Sequence, residues 1–184
     1  MSATRRSAVT ALLAATAVTG TILATAAPAQ AAPATQCSTT SKTFNLPQKP
    51  DVKVTATICL KRAGVSGGYR YYRAWLSKVS WDGTSFYTGG RRFNSIDFLS
   101  RAEHGRTAVD NCSPSVCEMN SLADAINNAE NGTKTFRGDA GGYGVAFVKT
   151  KATNWTADAT AWFDIADDGK PEKKWELTGT RTVH

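Results

Sequence analysis

The chain has 184 residues, 41% of them hydrophobic, with 22 Lys and Arg against 15 Asp and Glu and four cysteines. A formal charge of +7 favours anionic partners, although net charge bears on solubility before it bears on function. Past its first 31 residues the composition excludes a membrane-spanning helix, an internal repeat and a low-complexity tract, and the length suits one domain.

Residues 1–31 read as a secretory signal. Arg5 and Arg6 form a basic start, Ala8 to Ala26 an apolar stretch, and Ala29-Gln30-Ala31 a small-residue cleavage site. Cys37 follows Ala34-Thr35-Gln36 rather than a small apolar lipobox, so the product is expected to be released and extracellular, not lipid-anchored. Thr4-Arg5-Arg6-Ser7 loosely resembles a twin-arginine signal, with Ala8 and Val9 where bulkier residues are usual, which leaves both that route and general secretion open. The Ala/Thr-rich composition resembles the signals of high-GC Gram-positive bacteria. Removing 31 of the 184 residues leaves 153, with 20 Lys and Arg against 15 Asp and Glu, a mildly basic chain expected to be monomeric.

Ala32 to Pro50 is polar and punctuated by proline, and reads as an N-terminal arm ahead of a single β-rich domain at 51–184. In Asp51 to Lys61, Val52, Val54, Ala56, Ile58 and Leu60 alternate with polar residues, which predicts a strand buried on one face. Gly64 to Gly68 reads as a loop. The aromatic run Tyr69 to Trp81 follows, and Asp82-Gly83 predicts a type I′ turn into a return strand, Thr84 to Phe93, with Val79 opposite Phe86 and Trp81 opposite Thr84. Strict alternation places Tyr71, Trp75, Val79 and Trp81 on one face and Tyr72, Ala74 and Leu76 on the other, so this strand is expected at the centre of the fold. Gly89-Gly90 breaks the return strand as a bulge or bend.

Phe93 to Ala102 and Arg106 to Val109 read as strands joined at His104-Gly105. One short helix is expected at about 120–130, capped by Asn120 or Ser121, with Leu122, Ala125, Ile126 and Ala129 at helical spacing and Asn131-Gly132 as its end. Tyr143 to Lys151, Trp155 to Ile165 and Lys174 to Arg181 predict a β-meander, the last two joined by Asp167-Asp168-Gly169. The fold class is therefore mostly β, an antiparallel sandwich or open barrel-like sheet. Four cysteines in an exported chain predict two disulfides; of three pairings, Cys37–Cys59 and Cys112–Cys117 are the local ones.

No complete catalytic constellation can be assembled. Gly138-Asp-Ala-Gly-Gly142 resembles the nucleophile loop of trypsin-like serine proteases, but Ala140 stands in place of the serine. Cys117-Glu-Met-Asn120 is similar to a segment of small actinobacterial protease inhibitors over those four residues alone. Asp164 to Glu172 lacks the ligand pattern of a calcium loop, and the two histidines, His104 and His184, form no cluster with the cysteines, so neither metal nor cofactor is expected. A small hydrolase using His104 or the carboxylates of Asp97, Glu103, Asp110 and Glu118 is the alternative.

The leading expectation is a non-enzymatic binding domain with an aromatic and basic β surface: Trp162, Trp155, Tyr69 and Tyr72 as stacking platforms, with Arg70, Arg73, Arg91, Arg92, Lys149 and Lys151 around them. Trp162 is predicted to face solvent, since Ala159, Ala161, Phe163 and Ile165 take the inner face of its strand; Trp75, Trp81 and Trp175 are assigned to the core. The expected partner is a cell-wall polysaccharide or a secreted protein. Nucleic acid ranks below both, because no recognition helix or RNA-binding signature is present.

Overall fold

A computed structural model describes residues 35–83, 90–110, 120–138 and 145–184. The predicted leader, residues 84–89 of the return strand, the Cys112–Cys117 bridge and the glycine loop after Gly138 lie outside the described residues. In chain order the elements are β1 (Thr35–Phe44), β2 (Val52–Ser66), β3 (Tyr69–Gly83), β4 (Phe93–His104), β5 (Thr107–Asp110), α1 (Asn120–Asn128), β6 (Asn131–Thr135), β7 (Val145–Thr150), β8 (Thr156–Ile165) and β9 (Lys173–Glu176). They form two open antiparallel sheets. One runs β1-β2-β3-β6, with β7 also paired to β3; the other runs β5-β4-β8-β9.

The expected polar arm is a strand for most of its length. β1 pairs with β2 from Thr35 opposite Lys61 to Phe44 opposite Val52. Its four threonines favour extended backbone, and as an edge strand it needs few apolar side chains, which is why its pattern reads as a tail. Cys37 and Cys59 stand opposite each other in that ladder and are bonded, their Cα atoms 4.1 Å apart. The bridge closes a loop of 22 residues, so Cys37→Ala with Cys59→Ala should lower the unfolding free energy by about 3 kcal/mol, measurable in urea.

The tight turn of the central hairpin precedes β3. Gly67 and Gly68, with φ of 55° and 77°, make the left-handed pair that a type I′ turn requires, and they join β2 to β3. Asp82 and Gly83 lie in extended backbone opposite Lys53 and Val52. Val79 is already paired with Ala56 and Lys134, and Trp81 with Val54 and Gly132, so neither has an edge left for Phe86 or Thr84. The strand is central as expected. It is flanked by β2 on one side and by β6 and β7 on the other.

The ladder slips between Thr57 and Ile58, leaving Ser77 as the extra residue between Leu76 and Lys78. That bulge reverses the parity of β3. Tyr72, Ala74 and Leu76 point into the core before it, and Val79 and Trp81 after it, while Tyr71, Arg73 and Trp75 are left half-buried on the outer face. Trp75 is thus not the core residue that strict alternation predicts.

The predicted helix is present, and Leu122, Ala123 and Ile126 bury its apolar side. Asn131-Gly132, read as its end, instead begins β6. The predicted meander is divided between the sheets, because β7 pairs with β3 whereas β8 and β9 pair with each other. Side chains of both sheets share one core. Phe44 of β1 lies edge-on to Phe93, Phe163 and Trp175 with centroids 5.1, 4.9 and 5.9 Å away, and Tyr72 of β3 stacks on Trp155 at 6.0 Å.

Candidate functional site

The pairing of β2, β3 and β7 places two rows of side chains on the outer face of the first sheet. Arg73 stands between Lys61 and Phe147, and Tyr71 between Gly64 and Lys149; Trp75 lies on one side of these rows, opposite Cys59, and Tyr69 on the other. Residues two apart on a strand share a face about 7 Å apart, so Tyr69, Tyr71, Arg73 and Trp75 form one column. Phe147 is 50% exposed and Tyr69 37%, both high for large apolar rings.

These rings are occupied by cations. The Lys149 ammonium lies 5.0 Å from the Tyr69 centroid and 5.9 Å from that of Tyr71, Lys151 lies 5.3 Å from Tyr69, and the Arg73 guanidinium 5.8 Å from Phe147. Such contacts hold flexible ammonium groups over the sheet at modest desolvation, leaving their outward hydrogens available. Between 52 and 81 there are six Lys or Arg and no Asp or Glu, and β7 with Lys151 adds two more cations and no acid. Among the described residues, then, these three strands offer an anionic partner no opposing charge short of Asp82.

At the Trp75 end the face dips into a cavity of about 200 Å³ lined by Lys61, Ala63, Arg73, Trp75 and Gly138. Gly138 is required there. A Cβ at that position would sit 2.2 Å from the indole of Trp75, so only a glycine lets the chain lie flat against the ring.

The outer face of the second sheet has a different character. Arg101 donates to Glu103 at 3.1 Å and lies 3.3 Å from Asp158 and 3.5 Å from Glu176, and Thr160 donates to Glu176 at 2.6 Å. Burial opposes the charge on Arg101, but the Glu103 hydrogen bond and the Asp158 and Glu176 charges outweigh it and raise its pKa. Glu103 is therefore engaged with Arg101. His104 stacks on Trp155 with centroids 5.4 Å apart. The side chains of Asp110 and Glu118 lie outside the described residues. In the Asp167-Asp168-Gly169 turn, Asp168 accepts from the Lys173 ammonium at 2.7 Å and the Lys170 amide at 2.8 Å, which hold its carboxyl below the usual range; Asp167 pairs with Lys49 at 2.8 Å.

The expected binding residues do not form one surface. Arg73 lies on the outer face of the first sheet. Trp162 shares the outer face of the second with Asp97, half-buried beneath Lys174, whose ammonium is 3.9 Å from the ring centroid. Arg91 is exposed, and its carbonyl accepts from Lys49 at 2.6 Å. Tyr72, Trp155 and Arg92 are buried, contrary to the exposure expected of them. Tyr72 lies on the inner face of β3, where burial raises its phenol pKa, and Trp155 is held in the core by backbone bonds to Val183. The Arg92 guanidinium donates to the carbonyls of Ile126 at 3.1 Å and Ala129 at 3.0 Å, closing the C-terminal end of α1. Trp75, Tyr71, Phe147 and Lys61, which lie on the outer face of the first sheet, are not among the residues expected to bind. The acid-free run 52–81 was the available signal for that face.

No family model, curated protein or solved structure matches the chain.

Proposed function

We propose that the protein is a secreted, non-enzymatic binding module whose outer face of the first sheet engages a negatively charged cell-wall polymer. One observation carries this reading: the cations Lys61, Arg73, Lys149 and Lys151 lie on the same face as Tyr69, Tyr71, Trp75 and Phe147, in a part of it where the described residues include no acid, and the rings of Tyr69, Tyr71 and Phe147 hold Arg73, Lys149 and Lys151 in place. A flat, three-strand surface of this kind suits an extended polymer better than a compact small molecule. In this reading residues 1–31 direct export, the two sheets pack as a sandwich, and Cys112–Cys117 is a second bridge. The Cys37–Cys59 disulfide supports an oxidising destination.

Co-sedimentation with insoluble cell-wall glycan tests the proposal. The double variant Lys149→Glu, Lys151→Glu should lose most retention, about tenfold or more, because each reversal replaces an attraction with a repulsion. Retention of the unaltered protein should fall as salt rises, since exposed charges are screened beyond roughly 8 Å at physiological ionic strength. Trp162→Ala should be retained normally. Loss in that variant, with the double lysine variant unaffected, would transfer the site to the second sheet.

A further inference from the structure

The cavity beside Trp75 has a chemistry that the open face lacks. Two cations from neighbouring strands, Lys61 and Arg73, stand opposite each other at its wall, and the Trp75 indole is fixed at its floor against the Gly138 backbone. Its volume of about 200 Å³ is suited to one sugar ring rather than to a chain segment. Gly138 covers one face of the indole; the opposite face is the one that would accept the C–H face of a pyranose, and a guanidinium with an ammonium accepts a carboxylate. The disulfide partner Cys59 stands opposite Trp75, so the floor rests on a part of the sheet that is covalently tied to β1.

We infer that this cavity is a subsite for a carboxylate-bearing sugar, and that the polymer bound by the outer face is an acidic polysaccharide containing uronic-acid-type units. This deepens the proposed function and rests on it: the Tyr69–Phe147–Lys149 strip supplies polymer attraction, and the cavity supplies selection for a sugar that carries its charge on the ring. The same cations would also attract phosphate. What separates the two sources is the indole, which rewards a sugar face and gives nothing to a bare phosphate chain.

The test is titration calorimetry of the purified protein with short oligogalacturonides and hyaluronan fragments, with the same galacturonides after methyl esterification, and with inorganic polyphosphate. At least one of the acidic oligosaccharides should bind; the esterified form should bind at least about tenfold more weakly, and polyphosphate more weakly than the acidic sugar at equal charge. Lys61→Gln and Arg73→Gln should each weaken binding by about tenfold, and Gly138→Ala, which drives a methyl group into the indole, should abolish it. Lys61 is exposed, so its variant keeps the test valid even if Gly138→Ala disturbs the fold.

Equal binding of acid and ester, polyphosphate binding as tightly as the sugar, or unaltered binding by both Lys61→Gln and Arg73→Gln would each overturn the subsite. If neither acidic oligosaccharide binds while wall retention still depends on Lys149 and Lys151, the subsite fails and the proposed surface stands. If wall retention fails as well, both fall.

Discussion

Phe44→Ala should lower the unfolding free energy by about 3–5 kcal/mol, the range for emptying a phenylalanine site in a packed core. Phe44 is 2% exposed and touches Phe93, Phe163 and Trp175 of the second sheet edge-on, so its loss removes aromatic contacts between the sheets as well as buried area. Equilibrium unfolding in urea measures it. A loss below about 1 kcal/mol would mean that β1 contributes little to the core, as the polar reading of that segment would have it.

Arg92→Met should cost about 2–4 kcal/mol while leaving wall binding intact in the folded fraction. Methionine fills the buried space of the aliphatic stem, but the buried carbonyl of Ile126 loses its charged donor and that of Ala129, partly exposed, is left with the Trp81 indole N–H. Arg92→Lys should recover only part of the loss, because an ammonium cannot reproduce the planar fork of a guanidinium. Unfolding curves recorded alongside retention separate the two effects. Unchanged stability with abolished retention would return Arg92 to the binding surface.

The strands that were legible in the sequence are those with one clean apolar face. β8 shows period-2 alternation throughout and β2 as far as Lys61, and α1 shows helical spacing; β2 then runs on to Ser66, past a bulge at Ala63 and into the stretch that its glycines mark as a loop. β1 was not legible because an edge strand rich in threonine and serine has almost no apolar pattern to read. Its only core residue is Phe44, at its last position. The face assignment of β3 failed at one residue: the Ser77 bulge shifts parity by one, so alternation counted through it sends Trp75 inward together with Val79 and Trp81.

The candidate site was only half legible, for a related reason. Residue type nominates Tyr72, Trp155 and Arg92 as readily as Tyr69, Trp75 and Arg73, and only the ladder register separates rings in the core from rings on the face. Arg92 is instructive here. An arginine beside an exposed arginine reads as part of a basic patch, yet α1 needs a buried donor at its C-terminal end, and that demand appears only when helix and strand are brought together. The absence of acids from 52 to 81 is the one property of the face that requires no folding to see.

Lysine labelling of the native protein, with and without saturating cell-wall glycan, tests the binding face most directly. Reductive methylation read out by peptide mass should show Lys61, Lys149 and Lys151 strongly protected by the glycan, because they lie on the outer face of the first sheet, away from its exposed acid at Asp82. Lys174, over Trp162 on the other sheet, should label at the same rate in both samples. Protection of Lys174 with Lys61, Lys149 and Lys151 left reactive would contradict the assignment.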